Sequence, residues 1–292
     1  MRVQGSYEYE SIVALIPDDF SNPADSLAEV RAKFDFVHGQ PVGDGVVVEN
    51  HELGLWVRPD GPHDDRVVLF AHSGGFVTST AAMCAFWAAI VARECNLAVF
   101  LVEYSLAPEA RFPTQLDELA AADEMLLAAG HDPARMVFMG DSCGGGMAVA
   151  SMVRLREAGL PLPGAFVGFG GWYDLEAGDV DSSTNEDPFV DPDWLRLRAR
   201  DYVGPEGDPG DPLVSVVNAE LAGLPPMLLQ TGEVDPCLPG ARLLADRTDA
   251  NVTFDVVPAV AQGFQGMGTH IPEVVAAWAT VRAWVDRVVP PA

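Results

Sequence analysis

The chain has 292 residues, 49% of them hydrophobic, which suffices to bury a large core in one α/β domain. It carries 43 acidic and 17 basic residues, for a formal net charge of −26, and Lys33 is its only lysine. This charge disfavours nucleic acid and anionic membrane surfaces as partners, because both attract basic patches. The N-terminal residues lack the apolar stretch of a signal peptide and no apolar run could span a bilayer, so we expect a cytoplasmic protein.

From about residue 46, strand and helix patterns alternate, which is typical of a mostly parallel sheet flanked by helices. The pattern begins with a hairpin at 46–59. Further strands are predicted at 66–72, 97–104, 135–140, 164–171, 225–232 and 252–258. Helices are predicted at 78–94, 113–130, 141–159 and 271–289.

Two segments do not follow this alternation. The first 45 residues contain one short helical pattern, and the acidic segment 174–212, rich in proline and glycine, contains another at Trp194–Tyr202. We predict a single domain over residues 1–292, in which elements at about 1–45 and 174–212 form a cap over the strand ends. Long insertions in compact domains tend to be functional, although a plain surface excursion is the alternative.

The strongest motif is GDSCG, Gly140–Gly144, between a predicted strand and a predicted helix. Its glycines permit the tight turn that lifts a serine side chain above a sheet, which makes Ser142 a candidate nucleophile. The N-terminus of the following helix points at the same place. The backbone N–H of Cys143 can therefore bind a developing oxyanion.

A second motif, HSGGF at His72–Phe76, directly follows a predicted strand. The pair Gly74 and Gly75 lets backbone N–H groups approach a ligand, so both are predicted to complete the oxyanion hole. His72 is interpreted as a structural residue of the loop rather than a base. An ordinary turn is the alternative reading of this motif.

These motifs, with EYSLAPEARFPTQLDE and LPPMLLQTGEVDPCLPGARLLA, resemble the bacterial hormone-sensitive-lipase-like family of α/β-hydrolases, which are carboxylesterase-like enzymes. The resemblance covers residues 46–290 and implies an α/β-hydrolase fold: a mostly parallel central sheet flanked by helices, with an N-terminal and inserted helical cap. The sequence departs from the family pattern at Ser73, Ser105 and Cys143, where the family has glycine, arginine and alanine. The resemblance is compatible with a homodimer.

The resemblance places the acid of a catalytic triad at Asp235, with Glu233 as the fallback. It places the base in the family's HGF motif, which here reads Gln262–Gly263–Phe264. A glutamine amide can donate to Asp235 and accept from Ser142. It cannot take a serine proton near neutral pH, so ordinary ester turnover is predicted to be poor.

Four explanations of Gln262 remain open. In the first, the chain is an engineered variant that traps its substrate. In the second, His270 moves into the site and serves as a fallback base. In the third, the pocket binds a small molecule but no longer catalyses a reaction. The fourth is changed chemistry: an acyloxy group β to an acidic C–H leaves as a carboxylate by elimination, and no acyl-enzyme needs hydrolysis.

The sequence therefore predicts an enzyme acting on an acyl ester of a small, apolar, natural-product-like molecule. It acts by ester hydrolysis or by acetate-type elimination, as a carboxylesterase or an ester-eliminating lyase; the alternative is an impaired pseudo-hydrolase that binds a small molecule. Candidate pocket residues are Ser73, Phe76, Trp172, Tyr173 and Phe264. No cofactor and no metal are expected, because no cysteine pair, histidine spacing or nucleotide-binding fingerprint occurs.

Overall fold

The computed structural model describes residues 4–17, 19–176, 185–248 and 251–292, with backbone only for 36–38. A single sheet of eight strands lies at the centre, in the spatial order β1-β2-β4-β3-β5-β6-β7-β8. The strands are β1 (Val46–His51), β2 (Gly54–Pro59), β3 (Val67–Ala71), β4 (Ala98–Val102), β5 (Met136–Asp141), β6 (Ala165–Phe169), β7 (Met227–Gly232) and β8 (Val252–Val257). β2 pairs antiparallel with β1 and β4, and the remaining pairs are parallel.

Eight α-helices accompany this sheet in the described ranges. They are α1 (Tyr7–Val13), α2 (Leu27–His38), α3 (Ala81–Cys95), α4 (Thr114–Ala128), α5 (Cys143–Glu157), α6 (Pro192–Val203), α7 (Leu238–Arg247) and α8 (Pro272–Val288). Local side chains fix several helix ends. Ser26 and Glu29 form a capping box on α2, Thr80 caps α3, and Asp191 caps α6 ahead of Pro192. None of these helices is long and apolar enough to cross a membrane.

Apolar side chains on the two faces of the sheet form two separate clusters. One includes residues of α3 and α8 together with Tyr9 of α1. The other includes residues of α2, α4, α5, α6 and α7. The central strands β3, β4 and β5 are fully buried, as expected of parallel strands covered on both faces. β3 and β4 are continuous apolar runs, and β5 is apolar up to the buried Asp141 at its end.

The predicted fold class is confirmed, and each strand and helix predicted from residue 46 onward is present. The helical patterns of the two irregular segments also form helices, α2 and α6. Two helices were not predicted, α1 and α7. Part of the predicted cap, residues 1–3, 18 and 177–184, lies outside the described residues.

Candidate active site

The carboxyl ends of the parallel strands bring the motifs to one edge of the sheet. The glycine loop (residues 72–80) follows β3, Ser142 follows β5, Asp235 follows β7 and Gln262 follows β8. Because β5, β6, β7 and β8 are consecutive neighbours, segments distant in sequence converge here. This edge is where open α/β sheets bind their ligands.

Ser142 occupies a strained turn between β5 and α5. Its φ of 53° and ψ of −120° lie in a region that non-glycine residues rarely adopt. The turn is held by hydrogen bonds from the Ser142 N–H to Phe169 O (3.0 Å) and from the Trp172 N–H to Ser142 O (2.8 Å). A Cβ on Gly144 would lie 2.1 Å from the carbonyl oxygen of Ala71, so only glycine fits there. The predicted strand–serine–helix turn is therefore present in the structure.

The glycine loop also adopts conformations that favour glycine. Gly74 has a φ of 118°, and a Cβ there would lie 2.2 Å from Thr78 O. Gly75 has a φ of 58°, and a Cβ there would lie 2.7 Å from Cη2 of Trp194 in α6. The inserted segment thus packs directly on the loop that was predicted to supply oxyanion donors.

Cys143 begins α5, where the first N–H groups of a helix have no partner within the helix. Its fully buried thiol faces the glycine loop, with Sγ 3.7 Å from the Tyr104 hydroxyl and 3.8 Å from His72 O. Burial raises the pKa of Cys143 to about 11, although the hydrogen bond with the Tyr104 hydroxyl opposes the shift. The thiol is therefore neutral near pH 7.

His72, at the start of the glycine loop, is fully buried. Its Nδ1 donates to the carbonyl oxygen of Ser73 at 2.7 Å, and its ring stacks on Tyr104 with centroids 4.0 Å apart. Burial lowers the pKa of His72 to about 4, so the imidazole is neutral at ordinary pH.

Asp235 is buried in the turn after β7. Its Oδ2 accepts from the Thr231 hydroxyl at 2.9 Å and its Oδ1 from the Cys237 N–H at 2.7 Å. A Cβ on Gly170 would lie 2.7 Å from Asp235 Oδ2 and 3.3 Å from Gln262 Nε2, so both side chains border this glycine. The structure thus brings together the predicted acid and the glutamine.

Gln262 is half-buried. Its Nε2 donates to the Gly170 carbonyl at 3.4 Å, an acceptor that differs from the Asp235 carboxylate considered from the sequence. Its backbone N–H donates to Oδ2 of Asp187 at 2.7 Å. Asp187 belongs to the inserted segment and was not identified from the sequence; its one local signal is the Asp-Pro pair in NEDPFV.

The Gln262 segment (residues 259–262) is held by side chains from three distant parts of the chain. The Ala259 N–H donates to Glu233 Oε2 at 3.0 Å, and the Ala261 N–H donates to the Tyr9 hydroxyl at 2.7 Å. Asp187 accepts the third bond. Glu233, the fallback acid of the sequence analysis, therefore supports this segment.

Three of the five candidate pocket residues, Phe76, Trp172 and Tyr173, belong to the apolar cluster that includes residues of α6. Phe76 stacks on Tyr202 of α6 with ring centroids 3.7 Å apart, and its ring lies 6.2 Å from that of Trp172. Tyr173 and Ser73 are buried as well. Phe264 is different: it is fully buried in the cluster with α3 and α8, as a core residue.

His270, the fallback base, is exposed. It lies on the turn before α8 with its ring against Gly268: a Cβ there would come within 2.9 Å of His270 Cε1. The His270 ring therefore packs against Gly268 of its own turn.

A family model of the alpha/beta hydrolase fold matches residues 68–266, more than half of the chain. The chain belongs to the α/β-hydrolase fold family. Over 240 residues it is 33% identical to an acetyl-hydrolase of Streptomyces hygroscopicus, covering 80% of this chain and 79% of that protein. Over 221 residues it is 26% identical to an esterase of Acinetobacter venetianus, covering 74% and 73%.

Solved structures of α/β-hydrolases agree with this assignment. An esterase from the bacterial hormone-sensitive lipase family superposes with a TM-score of 0.88 at 31% identity, covering 98% of this chain and 100% of the other. A hormone-sensitive lipase from a metagenome library gives a TM-score of 0.84 at 28% identity, covering 91% and 94%. The resemblance to bacterial hormone-sensitive-lipase-like proteins is thereby confirmed.

Proposed function

We propose that this α/β-hydrolase is an enzyme that cleaves acyl esters of small molecules, with Ser142 as the nucleophile. The observation that carries the proposal is the strained turn of Ser142 at the N-terminus of α5, between the glycine loop and the pair Asp235–Gln262. The similarity to an acetyl-hydrolase and to an esterase supports it, and short acyl groups such as acetyl are the first substrates to test.

In this proposal the Ser142 hydroxyl oxygen attacks the ester carbonyl carbon, and the carbonyl oxygen becomes an oxyanion. The backbone N–H groups of Gly74, Gly75 and Cys143 stabilise that charge, with the N-terminus of α5 adding its dipole. The C–O bond to the leaving group then breaks, and the proton lost by the Ser142 hydroxyl passes to the departing oxygen, which leaves as an alcohol. Water hydrolyses the remaining acyl-serine to a carboxylic acid and free Ser142.

The pocket and its cap belong to the same proposal. Phe76, Trp172 and Tyr173 form the apolar wall for the substrate, and α2 and α6 form the cap. The stacking of Phe34 in α2 on Trp194 in α6, with centroids 5.6 Å apart, supports a continuous cap over the glycine loop.

Gln262 limits how fast this reaction can run. We propose that it replaces the family's catalytic histidine, because it follows β8 and its side chain lies beside Asp235. An amide has no usable basicity at neutral pH, so neither the attack of Ser142 nor deacylation has an imidazole to accept a proton. Hydrolysis is therefore expected to be slow compared with an enzyme that has the full triad.

The presence of Gln262 instead of a histidine favours a second candidate function, elimination of a carboxylate. The Asp235 carboxylate, directly or through the Ser142 hydroxyl, removes an acidic C–H proton of the substrate. The C–H electron pair forms a C=C bond, and the C–O bond breaks to release the carboxylate. The N–H groups of the glycine loop bind the ester carbonyl and stabilise the leaving group. Ser142 is then not acylated, and no acyl-enzyme has to be hydrolysed.

Two parallel incubations separate these functions. The purified protein is given p-nitrophenyl acetate and, separately, a β-acetoxy ketone in water labelled with heavy oxygen, with Ser142→Ala as the control. Hydrolysis through acyl-Ser142 gives an alcohol and labelled acetate, whereas elimination gives an alkene and unlabelled acetate.

Labelling of Ser142 with a fluorophosphonate completes the test. A labelled Ser142 with slow, serine-dependent acetate release supports ester cleavage. No label and no product above the Ser142→Ala background would leave small-molecule binding as the function and overturn the proposal.

A further inference from the structure

Two buried carboxyl groups flank Gln262. Asp235, 3% exposed, lies beside its side chain, and Asp187, 8% exposed, accepts its backbone N–H. Asp187 comes from the inserted segment and Asp235 from the end of β7, so the fold brings together two acids that are 48 residues apart in sequence (235 − 187). We call these two residues the acid pair.

The hydrogen bonds to the acid pair come from neutral donors. Oδ1 of Asp187 accepts from the N–H groups of Phe189 at 2.7 Å and Val190 at 3.0 Å, and its Oδ2 from Gln262. Asp235 accepts from the Thr231 hydroxyl and the Cys237 N–H. In the ranges that the structure describes, no arginine, lysine or histidine forms a hydrogen bond or an ion pair with either carboxyl.

The titratable groups that face the pair add no positive charge either. Cys237 of the β7–α7 turn and Tyr173 after β6 are buried and have raised pKa values, so both are neutral. Asp141 at the end of β5 is acidic, and its charge raises the pKa of Asp235 further. The glutamine between the two acids is uncharged at every pH.

Two like charges in a buried site cannot both be formed cheaply, because each lacks water and repels the other. Burial raises the pKa of Asp187 to about 7, although the three backbone N–H groups oppose the shift. Burial, followed by the charge of Asp187, raises the pKa of Asp235 well above its ordinary value. The macroscopic titration therefore belongs to the pair and not to one residue.

We propose that Asp187 is a positioning residue of this site, which holds the Gln262 segment by its backbone and shares one proton with Asp235. The pair then carries a single negative charge near neutral pH. Asp187 acts on the reacting groups through Asp235 and Gln262, and so sets the pH range in which the acid position is ionised. Its effect on catalysis rests on the proposed ester cleavage, but the shared proton does not.

The shared proton is tested by thermal unfolding as a function of pH, without any substrate. An acid whose pKa is raised in the folded state stabilises the protein below its ordinary pKa and loses that stabilisation as the pH rises through the folded pKa. For the acid pair this interval begins at 3.8, the ordinary pKa of an aspartate, and extends to at least about 7. The Tm of the wild type should therefore fall across it. In Asp187→Asn the fall should be smaller, because one acid is removed and the pKa of Asp235 drops.

Asp191→Asn is the matched control from the same segment. Oδ1 of Asp191 also accepts two backbone N–H bonds, from Asp193 at 2.7 Å and Trp194 at 3.2 Å, but Asp191 is not a member of the pair. This control should keep the pH-dependent fall of the wild type whatever its overall Tm. Curves for Asp187→Asn that run parallel to the wild type would overturn the shared proton.

The catalytic consequence has its own measurement. The rate of p-nitrophenyl acetate cleavage, or of Ser142 phosphonylation, is followed against pH for the three proteins. In Asp187→Asn the acid limb of the profile should move to lower pH, because Asp235 ionises more easily without its neighbour. A purely structural role would lower the rate at all pH values with the limb unmoved.

The Tm curves and the rate profiles can contradict one of the two proposals without contradicting the other. If no protein reacts with either reagent while the Tm curves differ as expected, the proposed function is wrong and the acid pair stands. If the wild type cleaves the ester but neither the Tm curves nor the rate profiles respond to Asp187→Asn, ester cleavage stands and the acid pair is wrong.

Discussion

The hydroxyl of Tyr9 in α1 accepts a 2.7 Å hydrogen bond from the backbone N–H of Ala261, the residue that precedes Gln262. The two residues are 252 positions apart, and Tyr9 is only 3% exposed. The first helix of the chain therefore fixes the backbone of the segment that carries the glutamine. The site depends on the N-terminal residues although none of them belongs to a catalytic motif.

We expect Tyr9→Phe to lower the free energy of unfolding by about 1–3 kcal/mol, because the buried Ala261 N–H loses its acceptor. The change should also speed amide hydrogen exchange at residues 259–263. Tyr7→Phe is the control, since Tyr7 lies on the same helix with its side chain 84% exposed. Equal stability of the two variants in urea unfolding would contradict the importance of this bond.

Gly75→Ala is expected to impair the site more than backbone strain alone explains. Its φ of 58° is unfavourable for alanine by about 1–2 kcal/mol, and the new Cβ would also meet Trp194 at 2.7 Å. Gly159→Ala separates the two effects, because Gly159 has a φ of 66° with no atom near the position of a Cβ. Gly75→Ala should lose more stability in urea and react more slowly with a fluorophosphonate at Ser142. Matching losses in both variants would show that α6 does not press on the loop.

Local sequence patterns were sufficient for most of the fold. The glycine spacing of Gly140–Gly144 predicts the strained turn at Ser142, because close approach to Ala71 excludes a side chain at Gly144. Continuous apolar runs such as Val67–Ala71 predict the buried strands. These features depend on residues within one or two elements, so a single sequence contains enough information to find them.

Contacts between distant segments could not be predicted in this way. The bond between Gln262 and Asp187 joins residues 75 positions apart, and nothing in the NEDPFV segment points to its partner. The short helix α1 offers too few turns for an amphipathic pattern to stand out. Phe264 is a case in which a motif was misleading. Its position in the Gln262–Gly263–Phe264 motif suggested a pocket residue, but it packs in the cluster with α3 and α8 and is a core residue.

We expect all four cysteines to be unreactive in the native protein at pH 8. All four thiols are buried. Burial raises the pKa of each: to about 12 for Cys95, to about 11 for Cys143, and well above the ordinary value for Cys84 and Cys237. Since the thiolate is the reactive species, Ellman's reagent should release colour only after unfolding in guanidinium. Prompt reaction of one thiol in the native state, identified by its Cys→Ala variant, would contradict this placement.

Gln262→His is expected to raise the rate of p-nitrophenyl acetate hydrolysis by about 10²-fold or more, the range in which a positioned general base contributes. The imidazole would take the place of the Gln262 amide, close to Asp235. A Cβ built on Gly170 would lie 3.3 Å from Gln262 Nε2 and 2.7 Å from Asp235 Oδ2. A histidine between Asp187 and Asp235 would also place a cation where the fold concentrates negative charge, so its pKa should be raised and the gain should appear at higher pH. Gln262→Asn, which keeps the amide, is the control and should show no gain. If Gln262→His hydrolyses esters no faster than the wild type at any pH, while Ser142 is still labelled by the fluorophosphonate, the missing imidazole does not limit hydrolysis.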